Sequence, residues 1–148
     1  MGLGLRLSLI MKKTKYLLTS LPCLLLSTFA QANFDILKDC DPLADTHPSR
    51  AKNYIVCLDD NIRNLERTRK TWITKLRLDM DLIEQDTGNS QLLPIVERSF
   101  IRQDNYIEDS CRWRYLHQMP NATKAAIIYK KCKIRMLKRH IEDLKHPY

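Results

Sequence analysis

Glycine is nearly absent from this chain. Three glycines and six prolines in 148 residues leave little material for tight β-turns. Strict alternation of apolar and polar residues, the mark of a half-buried strand, is missing too, so neither a sandwich nor a barrel is expected. The short motifs that carry chemistry are also lacking. There is no Gly-rich phosphate loop, no nucleophile elbow and no Cys-x-x-Cys. Without Cys-x-x-Cys-His, covalent haem is excluded. The four histidines, His47, His117, His140 and His146, are scattered along the chain. Ligands on one helix face need a spacing of three or four, and His140 and His146 do not have it. His140, even with Glu142 close by, therefore reads as a solvated surface group. No enzyme, metal site or cofactor is expected.

What is present begins with an export signal. Met11-Lys12-Lys13 opens a charged start, Tyr16 to Phe29 is mostly apolar, and Ala30-Gln31-Ala32 reads as a small-residue cleavage site. Thr19, Ser20 and Pro22 interrupt the apolar run, which falls short of the roughly 20 residues of a membrane span. Residues 1–32 are thus read as a signal peptide, with the true start at Met11 because Met1 to Ile10 precede a complete signal. Cys23 follows Pro22 where a lipoprotein site needs a small residue, and Gly2 lacks the Ser or Thr of a myristoylation signal. The remainder is expected in the periplasm or secreted, with no transmembrane segment. There Cys40, Cys57, Cys111 and Cys132 meet oxidising chemistry and can pair.

Residues 33–48, with Pro42 and Pro48, read as an extended arm or a short helical turn. Residues 49–148 read as a helical bundle. From Ser49, a possible cap, steps of three and four run through Ala51, Ile55, Leu58, Ile62, Leu65, Trp72, Leu76, Met80 and Ile83, with Arg69 in the one missing seam position. Gly88 can end this helix, and a break near Asp79–Asp86 is the alternative to a continuous rod. A second helix is expected from Ser90 to about His117, lined by Leu93, Val96, Phe100, Gln103, Ile107, Cys111 and Tyr115. Pro94 falls in its first turns, where a missing N–H costs least. After Met119-Pro120, Asn121 can cap a third helix from Ala122 to about Leu144. Three amphipathic helices with short links predict an all-α, antiparallel bundle. A core this small needs staples. Four cysteines permit three connectivities, of which Cys40–Cys57 and Cys111–Cys132 are favoured, since Cys111 and Cys132 lie at nearly the same level on antiparallel neighbours.

The charge is uneven. Setting aside the leader's Arg6, Lys12, Lys13 and Lys15 leaves 21 cations against 17 acids, a net charge of +4. Asp35, Asp39, Asp41, Asp45, Asp59 and Asp60 crowd the beginning, whereas Ser110 to Ile141 hold nine Lys or Arg and no acid. On the third helix Lys124, Lys131, Arg135 and Lys138 fall in one stripe with Arg139 beside it. Ala125, Tyr129, Cys132, Met136, Leu137, Ile141 and Leu144 lie away from it. Such a stripe suits an anionic partner: an acidic protein cleft, lipid headgroups or envelope polymers. Nucleic acid is not expected, because Trp72, Tyr106, Trp113, Tyr115 and Tyr129 sit at core-like spacings rather than on a stacking platform. Trp72 and Trp113 read as core anchors.

The order of these residues resembles the LprI-like family of small exported, cysteine-paired helical domains, whose namesake is described as a lysozyme inhibitor. Cys40 and Cys57 match the family's N-terminal cysteine pair. Tyr106-Ile107-Glu108-Asp109-Ser110-Cys111-Arg112-Trp113 is similar to its helix ending in an aromatic, an acid, a cysteine and a tryptophan. Tyr129-Lys130-Lys131-Cys132 supplies the fourth cysteine, and Arg139, Glu142 and Leu144 resemble its closing Arg-x-x-Glu-Leu element. Phe100, Gln103 and Ile107 depart from the family's Gln, Trp and Arg. The resemblance implies a non-enzymatic inhibitor of a lysozyme-type glycosidase that occludes the enzyme's cleft. The expected contact face is Lys131, Arg135, Lys138 and Arg139. The alternative is a cell-envelope structural or adaptor protein whose basic helix face touches anionic lipid or a protein partner.

Overall fold

The computed structural model describes residues 37–147. The signal segment, its start at Met11, the cleavage site after Ala32 and Cys23 lie outside them. Three helices follow a short 3-10 turn at Asp41–Leu43: α1 at Lys52–Thr87, α2 at Leu92–His117 and α3 at Ala122–Lys145. No strand occurs among the described residues. The fold is the all-α, antiparallel bundle that the periodicity implies, and two disulfides staple it.

Local chemistry sets the helix ends. α1 runs unbroken for 36 residues, about 54 Å at 1.5 Å per residue, so the alternative of a break near Asp79–Asp86 is not realised. It stops where Gly88 takes φ 71°, a left-handed conformation that costs glycine nothing, and the Gly88 N–H donates to the Glu84 carbonyl at 2.7 Å. Asn121 caps α3, its side-chain oxygen accepting the Lys124 N–H at 2.9 Å. Ser49 does not cap α1, as its spacing suggested. The Ala51 N–H closes a turn onto the His47 carbonyl at 2.9 Å, and the Ser49 hydroxyl faces His47 Nδ1 at 2.8 Å instead. The helix therefore starts after Ala51, without a side-chain cap.

α3 packs against both α1 and α2, which touch each other less. That position makes it the core helix. Ile62 and Leu65 of α1, Ile107 and Cys111 of α2, and Cys132, Met136, Leu137 and Ile141 of α3 form the central cluster. One end is closed by Cys40, Ala51, Tyr54, Cys57, Leu58 and Ile127, the other by Ile73, Phe100 and Leu144. Because α3 has a neighbour on each side, it buries a broad arc that includes Ile127 and His140. His140 falls within the apolar stripe, between Met136 and Leu144 on successive turns, whereas Ile127 lies beyond its edge, next to the basic stripe.

Cys40–Cys57 and Cys111–Cys132 are the pairs formed, with Cα–Cα separations of 5.9 and 5.5 Å. The first ties the arm to α1. Beside it, buried Asn61 treats the arm as a strand would: its Oδ1 accepts the Lys38 N–H at 2.8 Å and its Nδ2 donates to the Lys38 carbonyl at 2.9 Å. Both backbone groups of Lys38 are thereby satisfied away from any sheet. Lys38 Nζ adds an ion pair to Asp60 at 2.6 Å. This clamp seats Leu37 against the central cluster.

Candidate functional site

The cations of α3 divide into two sets by environment. Lys130 and Lys133 turn toward α1, where they pair with Asp59 and, at 2.8 Å, with Glu66. Tyr129 donates to Glu108 of α2 at 2.6 Å. Burial, and then this hydrogen bond to an anion, pushes its pKa up to about 12. These groups belong to the scaffold, bridging α3 to both neighbours.

The second set is the stripe: Lys124, Lys131, Arg135, Lys138 and Arg139 are all exposed. From Lys124 to Arg139 it runs about 22 Å along the helix axis. Lys131 is partly engaged. Its Nζ stands 5.7 Å from the Tyr54 ring centroid, and the Tyr54 hydroxyl beside it holds its pKa above the ordinary lysine value. Asp41, from the acidic arm, contributes in the same direction. The Lys131 end of the stripe is thus electrically softened. Arg135, Lys138 and Arg139 have no side-chain partner among the described residues. Lys138 also lines a groove of about 330 Å³ with Leu37, Leu65, Ile141 and Glu142.

The structure therefore brings the four expected contact residues onto one face and shows that only three are unengaged. Rigidity comes from beneath: Cys132, Met136, Leu137 and Ile141 of the same turns are buried, and Cys132 is bonded to α2. A helix so held presents its cations in a fixed row and gives up little side-chain-bearing backbone freedom on binding. Against family models, curated proteins and solved structures, the chain matches none.

Two sequence-based expectations need correction. Trp113 is not a core anchor but 55% exposed, with the Arg114 guanidinium 4.3 Å over its ring. It follows buried Cys111 by two residues, a rotation of about 200° that carries it to the opposite side of α2. Trp72, in contrast, is half-buried against the central cluster and the Ile73–Phe100–Leu144 end.

His140 is not a solvated surface group. It is 7% exposed, and its Nδ1 has no hydrogen-bond partner among the described residues. Burial, followed by the Arg69 charge, pulls its pKa below 6.5, while Asp104 and Asp143 oppose this weakly. Arg69 itself is held by Asp104 across the α1–α2 seam. No cluster of three His, Cys, Asp or Glu side chains around His140 or elsewhere among the described residues could hold a metal ion.

The depressed His140 pKa has a stability consequence. The folded state keeps the ring neutral, whereas the unfolded chain takes up a proton near 6.5. Stability is then fully present above that value and falls as pH drops through it toward the folded pKa. The urea midpoint is expected to decline as pH falls below about 6.5, beginning above the range where carboxylates titrate. His140→Leu should flatten that decline. An equally steep decline in the variant would remove His140 as its cause.

Proposed function

We propose that this is an exported binding protein that inhibits a lysozyme-type glycosidase by laying the basic ridge of α3 across the enzyme's carboxylate-lined cleft. One observation carries the reading. On a single helix, Lys130 and Lys133, which face α1, are ion-paired, whereas Arg135, Lys138 and Arg139 have no acidic partner among the described residues. Glycosidases of this type work with a pair of carboxyl groups in a cleft. A guanidinium or ammonium entering that cleft can pair with one of them while the rigid helix excludes substrate. The resemblance of Cys111-Arg112-Trp113, Tyr129 to Cys132 and Arg139 to Leu144 to the LprI-like pattern supports the same reading. So do the two disulfides, which suit an oxidising periplasmic or extracellular setting. A net charge of +4 outside the leader favours an enzyme whose surface is not itself strongly basic.

The test is lysis of a peptidoglycan suspension by several lysozyme types, with the oxidised, exported protein titrated in at low and physiological salt. Saturable inhibition is expected, weakened about 10- to 100-fold by Arg135→Glu/Lys138→Glu. No inhibition of any enzyme tested would sink the proposal for those enzymes.

A second reading, an envelope adaptor, is favoured by the straightness of the ridge. Five exposed cations along one helix match a flat anionic surface as well as a cleft. Strongly salt-dependent vesicle binding that Arg135→Glu/Lys138→Glu weakens, without enzyme inhibition, would select it.

A further inference from the structure

The α2–α3 turn carries apolar side chains that neither the bundle nor the α3 ridge uses. Trp113, Leu116 and Met119 are 55%, 59% and 49% exposed. Trp113 and Leu116, three apart near the end of α2, are neighbours on its surface, and Met119 lies in the connection that follows. Ten large apolar side chains are exposed among the described residues, and three of them fall within seven residues here. Arg112 and His117 on the same helix and Lys124 in the first turn of α3 are exposed as well, and Arg114 lies over the Trp113 ring at 4.3 Å. The nearest acid on α2, Asp109, is one turn behind Trp113, away from the connection. No carboxylate follows in the chain until Glu142.

We infer that this end, with Trp113, Leu116 and Met119 inside a collar of Arg112, Arg114 and Lys124, is an anchor that seats in the interfacial layer of an anionic lipid bilayer. The composition fits that solvent in particular. An indole with one polar edge favours the headgroup boundary. Leucine and methionine can enter the acyl margin while arginine and lysine extend back to phosphate oxygens. Charge complementarity separates this occupant from a protein. Three apolar side chains fall far short of the roughly 800 Å² per partner that a stable protein interface buries. A bilayer, however, adds attraction for every cation held near its surface. Arg114 has a double part: it donates to the Ser110 carbonyl and covers one face of the indole. The ring is thus steadied before it meets lipid. The Arg135–Arg139 ridge is a separate surface, so the two proposals stand or fall independently.

The test uses the oxidised, exported protein with phosphatidylglycerol-containing vesicles and with pure phosphatidylcholine vesicles as the uncharged arm. Tryptophan emission should shift to the blue and be quenched by brominated acyl chains on the anionic vesicles alone. Trp113→Phe should abolish that signal, leaving the response of half-buried Trp72. Leu116→Ser/Met119→Ser replaces two exposed side chains with little risk to folding and should weaken binding about tenfold, with loss of the blue shift. Arg135→Glu/Lys138→Glu should keep the blue shift. The inference is overturned if no shift occurs, or if Leu116→Ser/Met119→Ser leaves shift and affinity unchanged. It is also overturned if Trp113 stays open to aqueous iodide on bound vesicles. Loss of enzyme inhibition in Leu116→Ser/Met119→Ser without any vesicle response would assign the turn to a protein contact instead.

Discussion

Leu137→Ala should destabilise the bundle by about 3 to 4 kcal/mol, within the range for emptying a closed core site. Leu137 is 1% exposed and lies where α1, α2 and α3 meet, in one cluster with Ile62, Leu65, Ile107, Cys111, Met136 and Ile141. The site has little freedom to collapse into the space left behind. Cys111–Cys132 locks α2 and α3 at that level, and Arg69 with Asp104 and Lys133 with Glu66 bridge the helices nearby. A rigid wall makes the cavity term large. Urea denaturation monitored by helical circular dichroism measures the effect. Leu116→Ala, on the exposed side of α2, is the control and should change stability by less than about 0.5 kcal/mol. A loss under about 1 kcal/mol at Leu137 would mean that the three helices do not meet as described.

Removing the central staple should cost about as much. In Cys111→Ala/Cys132→Ala, a cross-link spanning 21 residues is lost. Closing a loop of that size restricts the unfolded chain by about 3 kcal/mol in the chain-entropy model. Both sulfurs are also buried, at 0% and 5% exposure for their residues, so some packing goes with them. α2 relies on this tie more than α1 does, since most of its contact is with α3 rather than α1. The expected loss is about 3 to 5 kcal/mol, or a fall of roughly 15 °C in the thermal midpoint for a domain of this size. Scanning calorimetry under non-reducing conditions reads it directly. Cys40→Ala/Cys57→Ala should chiefly free the arm, leaving α2 and α3 paired. If the two double variants melt alike, the central bridge has no special place in the bundle.

Much of this architecture was legible from residue order. Gly88 and Asn121 mark helix ends because their conformational and hydrogen-bonding preferences act within a few residues. The α2 seam of Phe100, Ile107 and Cys111 is buried as its spacing implies, and matching helix levels favour Cys111–Cys132, one of the two bridges that form. The stripe from Lys124 to Arg139 is exposed as drawn.

Part of what escaped involves three-dimensional partners. Ile127 is buried because α3 has two neighbours, whereas a helical wheel assumes one; His140 shares the phase of buried Met136 and Leu144, and only its residue type points to solvent. Asn61 sits in the core because the backbone of Lys38, 23 residues earlier, satisfies its amide, and no local pattern encodes that. Trp113 is different, since its exposure was available from sequence. Once Cys111 is placed inside, two residues of helical rotation put Trp113 outside. The place of an aromatic beside a buried cysteine is set by its phase on the helix, not by its residue type.

The Asn61 clamp has one more outcome. By laying Leu37 along α1, it sets the incoming chain beside Leu65, Ile141 and Glu142, one turn short of where α3 finishes. The path through all three helices thus leaves the bundle close to where it entered. A body with that outline behaves like a bead on a loop. It can be spliced into the surface turn of a host protein, or relinked end to end and reopened at Gly88, while each helix keeps its neighbours.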